Sequence, residues 1–215
     1  PLIELVNLSP KKSVRIFAKL EGQNPTGSLK DRIAKYMIEK AESEGKIGPN
    51  SIVLEPTSGN TGISLAMIGR LKGYQVKVVM PENVSIERVQ MLKAYGANIH
   101  LSESNGGTNH SVQGAKSLAE ANPNYFMPYQ YGNSSNPDVH FETTGPEIIR
   151  DLPNVTHFVA GLGTGGTLMG VGRCLKGYNH EIKVIAATPQ PDELIYGLRD
   201  LDEGFVPPIL DLDML

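Results

Sequence analysis

Strand-like and helix-like stretches alternate along this chain, and that alternation points to βαβ units and a parallel sheet. Residues 51–55 (SIVLE) read as a strand and 62–71 as the helix after it. The same order returns in 76–80 with 86–95 and in 98–101 with 111–120. It returns again in 156–160, 168–175 and 182–187. The fold class is α/β. In open α/β sheets a ligand sits at the carboxyl ends of the strands, so the strand-to-helix loops are the places to search.

Two of those loops carry more than turn chemistry. The first is Pro56-Thr57-Ser58-Gly59-Asn60-Thr61-Gly62. Backbone N–H groups and short donors converge there at a helix start, which suits a carboxylate or a phosphate. The plain alternative is a well-capped turn that binds nothing. The second is Gly161-Leu162-Gly163-Thr164-Gly165-Gly166-Thr167. Its glycines let the backbone approach a phosphate and its threonines add hydroxyl donors. Gly161, Gly163 and Gly166 also spell G-x-G-x-x-G, but a dinucleotide site wants an acidic residue at the end of the next strand. That strand ends in Thr188-Pro189, and Glu181 precedes it. No G-x-x-x-x-G-K-[ST] occurs, so a P-loop NTPase is not supported.

A third segment, Asn24-Pro25-Thr26-Gly27-Ser28-Leu29-Lys30-Asp31-Arg32, reads as a turn delivering a lysine to the first turn of a helix. Ser28 with Asp31 is capping-box-like, and Leu29, Ile33, Met37 and Ala41 mark one helix face. Lys30 thus sits where the helix dipole is positive, which favours a neutral amine suited to Schiff-base chemistry. The alternative is an ordinary solvated lysine.

The 215 residues are 40% hydrophobic and 20% charged with net charge −3, a globular composition with no electrostatic reason to bind nucleic acid or an anionic membrane. No apolar run approaches the roughly 18 residues of a membrane span, and no signal peptide is visible. Cys174 is the single cysteine and reads as a buried, inert thiol. Five histidines without ligand spacing give no expectation of a metal site. The stretch 105–109 reads as a flexible loop tip.

Taken together these segments resemble the cysteine synthase (O-acetylserine sulfhydrylase) family of pyridoxal-phosphate enzymes, fold type II. The matching stretches also include Pro1-Leu2-Ile3-Glu4-Leu5, residues 81–88 and 94–97, Gln130, Asn136-Pro137 and Thr143-Thr144-Gly145-Pro146-Glu147-Ile148. The resemblance implies two open twisted α/β domains of the tryptophan synthase β type, with the cofactor between them. A smaller one would span 24–134, and a larger one would combine 1–23 with 135–215.

It implies that Lys30 holds pyridoxal 5′-phosphate as an aldimine and shuttles the substrate's α-proton. Asn60 would hydrogen-bond the cofactor's 3′ oxygen, and Gly163, Thr164, Gly165, Gly166 and Thr167 would hold its phosphate. Thr57, Ser58, Gly59, Thr61 and Gln130 would bind the substrate carboxylate. The implied reaction is β-replacement through an aminoacrylate: an activated serine, O-acetyl- or O-phosphoserine, and a sulfur donor give L-cysteine. A cytoplasmic homodimer is implied, with small-molecule substrates and the C-terminal tail of serine acetyltransferase as a further partner.

The tail at 195–207 is most similar to the B-type enzymes, in which an arginine favours a charged leaving group. Arg199 is the matching position, and its alternative is a surface pair with Asp200, Asp202 or Glu203. Members of the family are longer, mostly at the C-terminus, so the expectation is a fragment or the ordered part of a longer protein. The residue facing the pyridine nitrogen is therefore not named. Rival readings are a cystathionine β-synthase-like enzyme, a serine/threonine dehydratase, a serine racemase, or a non-catalytic binding module.

Overall fold

A computed structural model describes residues 1–57, 59–102, 107–190, 193, 195–201 and 204–215, with backbone alone at 107–109. Strand β1 (Leu2–Glu4) pairs antiparallel with β2 (Phe17–Lys19). Helix α1 (Lys30–Ser43) follows. Then β3 (Ile52–Pro56), α2 (Asn60–Lys72), β4 (Gln75–Pro81), α3 (Ile86–Ala94), β5 (Asn98–Ser102), α4 (Gly107–Ala121) and β6 (Tyr125–Phe126) alternate as expected. Their four strands form one parallel sheet in the order β5-β4-β3-β6.

β3 is central, and Val53 and Leu54 are fully buried, so its sequence reads as a continuous apolar run instead of an alternating one. α2 is buried on most of its surface because α1 covers it on the far side of the sheet contact. An added Cβ at Gly69 would stand 2.3 Å from a Val76 methyl, so the glycine sets how closely α2 approaches β4.

A long helical run comes next: α5 (Ser135–Val139), a π-helical turn (His140–Thr144) and α6 (Gly145–Asp151). Thr143 Oγ1 donates to the Val139 carbonyl at 2.5 Å within that turn. Strand β7 (His157–Gly161), α7 (Gly166–Tyr178) and β8 (Lys183–Ala187) complete a second parallel pair.

Two expectations change. Residues 105 and 106 of the anticipated loop tip lie outside the described residues, and 107–109 already belong to α4, which starts earlier than the apolar pattern suggested. The capping box at the start of α1 is replaced by a longer-range lock. Ser28 Oγ accepts the Lys30 N–H at 3.2 Å, but the Asp31 carboxylate turns to other donors. It accepts the Thr26 N–H (2.7 Å), the Thr26 hydroxyl (2.5 Å) and the Ser64 hydroxyl of α2 (2.6 Å).

The lock pins the turn before Lys30 onto α2. Arg32 adds a second tie by donating to Glu21 and, on α6, to Glu147. Replacing Asp31 with Asn puts an amide nitrogen against donors in a buried site. The expected cost is about 2 kcal/mol, since hydrogen bonds to a charged acceptor are worth that much. Urea unfolding checks it: an unchanged midpoint would show that the lock contributes nothing.

Candidate active site

The two glycine-rich loops follow β3 and β7, at the carboxyl ends of parallel strands. In the first, Thr57 is buried and its Oγ1 accepts the Gly59 N–H at 3.2 Å. Gly59 is the N-cap of α2, Asn60 opens the helix with an exposed side chain, and Thr61 is buried behind it. Ser58 lies outside the described residues.

In the second loop Gly165 takes a left-handed backbone (φ 86°) as N-cap of α7. That conformation favours glycine. A Cβ at Gly163 would stand 2.4 Å from the Gly197 carbonyl oxygen, and one at Gly166 would stand 2.0 Å from Asn136 Oδ1. Side chains are therefore excluded on both sides of the loop. The first-turn N–H groups of the thirteen-residue α7 follow it, a place where a phosphate is favoured by donors and dipole together.

Lys30 is the first residue of α1 and keeps part of its surface accessible. Protein nevertheless crowds its nitrogen, and burial lowers its pKa to about 8. Its charge is felt by His140, whose pKa falls to about 3 through burial and then through the positive charges of Lys30 and Arg32. His140 is thus neutral. Its Nδ1 lies 2.9 Å from Thr144 Oγ1 and its Nε2 3.3 Å from Thr167 Oγ1, in the first turn of α7. His140 thus feels the charge of Lys30 and touches Thr167 of the second loop. The π-helical turn aims His140, as such turns often do at functional sites. Sequence reasoning gave His140 no role; the hydroxyl pair Thr143-Thr144 before Gly145 was the available signal.

The first loop meets Gln130. Thr61 Oγ1 donates to Gln130 Oε1 at 2.7 Å in a buried contact, which orients the amide and leaves its N–H₂ to donate to a ligand. Asn136, fully buried, donates from Nδ2 to the Gln130 carbonyl (2.8 Å) and to Thr164 Oγ1 (2.9 Å). One amide therefore ties both loops together. Its Oδ1 is the buried polar side-chain atom without a partner among the described residues.

Glu55, also fully buried, accepts the N–H groups of Tyr129 and Gln130 at 2.8 and 2.9 Å. Burial pushes its pKa up to about 7 against those two bonds. Since that is above the unfolded value, its contribution to stability is present below about pH 4.5 and is lost as pH rises through 7. Sequence reasoning placed Glu55 and Asn136 in stretches that match the family but gave neither a role. A charged residue closing the apolar run Ile52-Val53-Leu54 was the visible sign for Glu55.

Arg199 is buried. Its guanidinium lies over the rings of Tyr131 (5.3 Å) and Phe205 (4.7 Å). Its N–H donates to Leu162 O at 2.7 Å, so the tail residues 197–199 lie against the glycine loop. Arg199 is therefore not a solvated side chain, and Asp202 and Glu203, two of its alternative partners, lie outside the described residues. Cys174 is partly buried, and burial raises its thiol pKa. Among the described residues no group of three or more His, Cys, Asp or Glu is placed to hold a metal ion. No helix among them is long and apolar enough to cross a membrane.

Pyridoxal phosphate asks for an amine that loses its proton near neutrality and a phosphate cradle without side chains. Lys30 and the loop at 161–167 meet both requirements. Comparison with known proteins supports the cofactor. A cysteine synthase of Staphylococcus aureus (strain Mu50 / ATCC 700699) is 44% identical over all of this chain and 72% of its own length. The crystal structure of cysteine synthase (OASS) from Entamoeba histolytica superposes with a TM-score of 0.92 at 35% identity, over all of this chain and 67% of that one. A hydrogen sulfide-producing enzyme from Fusobacterium nucleatum gives a TM-score of 0.91 at 39% identity, over all of this chain and 73% of that one. The model of the family described as "Pyridoxal-phosphate dependent enzyme" matches residues 1–208, and the chain belongs to that family.

Proposed function

We propose that this chain makes L-cysteine from an activated serine, O-acetylserine or O-phosphoserine, and a sulfur donor. The observation that carries the proposal is the buried amine of Lys30, its pKa lowered to about 8, whose charge reaches His140, itself in contact with Thr167 of the glycine loop. Similarity to cysteine synthases over the whole chain supports it. Pyridoxal phosphate, when bound, supplies the electron sink that makes the substrate's α-proton removable.

The chain's own residues do the rest. Lys30 Nζ anchors the cofactor and then, as a neutral amine, takes and returns the α-proton. Gly163, Thr164, Gly165, Gly166 and Thr167 hold the phosphate at the start of α7, and Asn60 donates to the 3′ oxygen. Thr57, Ser58, Gly59, Thr61 and Gln130 orient the substrate carboxylate, the Gln130 amide acting as donor. Closure of the 24–134 unit over the larger one (1–23 and 135–215) on carboxylate capture would exclude water.

Arg199 is proposed to favour a phosphorylated leaving group, since its planar fork matches phosphate oxygens. Its burial beside Tyr131, next to Gln130, supports that placement. Arg199→Ala should lower kcat/KM for O-phosphoserine by roughly tenfold or more while leaving O-acetylserine within about twofold. Equal losses on both would remove it from leaving-group recognition.

A second copy of the chain is the proposed partner, supported by exposed apolar side chains such as Val6, Leu8 and Phe141. The carboxylate loop would equally accept the C-terminus of a serine acetyltransferase tail. Cytoplasmic residence is proposed from the single, unpaired cysteine. Cysteine formation from O-acetylserine and sulfide, compared with O-phosphoserine, tests the function. Pyruvate released steadily from serine without sulfide would instead support the dehydratase.

A further inference from the structure

We infer that Glu55 is a positioning residue: its carboxylate fixes the turn at Tyr129 and Gln130 and so presents the Gln130 amide to the substrate. The inference rests on the reading of Gln130 as part of the carboxylate site.

Glu55 sits near the end of β3, fully buried, just before the loop that begins at Pro56. Two successive backbone N–H groups converge on it, one on each oxygen, at 2.8 and 2.9 Å. Such a pair forms a nest for an anion, and here the anion is a side chain of the same protein. Tyr129 has φ 54°, a positive φ that every other described residue sharing it takes as glycine. A non-glycine residue holds that backbone at a cost and only where its surroundings over-determine it.

The carboxylate supplies the constraint on the N–H side of the turn, and Asn136 supplies it on the carbonyl side. Between these two holds the Gln130 side chain projects to Thr61 at 2.7 Å. Carboxylate is required because it offers an acceptor to each amide. A glutamine accepts at one oxygen and turns an N–H₂ donor toward the other amide. Glu55 reaches no bound ligand in this scheme; it acts through the turn.

The test uses the full chain loaded with cofactor at pH 8, where burial still leaves Glu55 largely ionised. The readout is the O-acetylserine concentration that half-saturates the change in the cofactor's visible absorption, with KM and kcat measured beside it. Glu55→Gln should raise that concentration and KM roughly tenfold, with kcat within about twofold, because a binding contact is misplaced and the Lys30 chemistry is untouched.

Gln130→Ala should produce a rise of similar size, and the double variant should be no worse than Gln130→Ala alone. Half-saturation unchanged in folded Glu55→Gln, while Gln130→Ala weakens binding, overturns the positioning role of Glu55. No effect from Gln130→Ala overturns instead the reading of Gln130. An additive double variant also overturns the proposal, since Glu55 would then act by a separate route. Hydrogen exchange on the wild type gives a check that needs no variant to fold. The Tyr129 and Gln130 amides should be protected, and fast exchange there contradicts the nest.

Discussion

Lys30→Ala should yield a protein that binds pyridoxal phosphate weakly, never covalently, and turns over at least about a thousandfold more slowly. Two losses combine at one atom. The amine that anchors the cofactor is gone, and so is the base whose pKa of about 8 matches the working pH. Its neighbours cannot replace it. His140 stays a weak base without Lys30, because burial, the largest cause of its lowered pKa, remains, and a weak base takes an α-proton poorly. Asp31 is committed to Thr26 and Ser64. The fold should survive, because removing a buried amine removes a desolvation cost along with a side chain. Unfolding midpoints alongside turnover separate the two effects. Turnover near the wild-type value would end the assignment of Lys30.

Gly166→Ala should cost the protein its cofactor. The added methyl would stand 2.0 Å from Asn136 Oδ1 and 2.4 Å from its Cγ, with the Asn136 side chain fully buried. Either that side chain moves or α7 does, and each route breaks the bonds to Gln130 O and Thr164 Oγ1. Overpacking and two lost hydrogen bonds amount to about 3 kcal/mol, or roughly a hundredfold in cofactor affinity if the phosphate loop carries the loss. Gly177→Ala is the control on the same helix, since its Cβ would meet nothing within 4 Å. Titration of apoprotein with pyridoxal phosphate reads both. Equal affinities in the two variants would show that the close approach at Gly166 is unimportant.

The elements were legible wherever a period or a run of special residues was long enough. Alternation revealed β3 through α4, and the glycine run revealed the start of α7. What escaped was short or depended on distant partners. β1, β2 and β6 are two or three residues long and carry no period. The π-helical turn at His140–Thr144 differs from an α-helix by one hydrogen-bond step, which residue spacing does not encode.

Asp31 looked like the third residue of a capping box because local patterns assume local partners; its decisive partner, Ser64, lies on α2. Glu55 and Asn136 act on residues brought near only by the tertiary fold. Arg199 had two readings in sequence, and its burial beside Tyr131 and Phe205 comes only from the tertiary fold. Lys30 at the first position of α1 was visible from the turn before it, while the crowding that lowers its pKa was not.

Borohydride reduction of the cofactor-loaded protein, followed by peptide mapping, bears most directly on the central claim. A visible absorption band that disappears on reduction, with the label on Lys30 alone, is the predicted result. A label on any other lysine, such as Lys77 or Lys116, or a protein that stays colourless with pyridoxal phosphate, would contradict it.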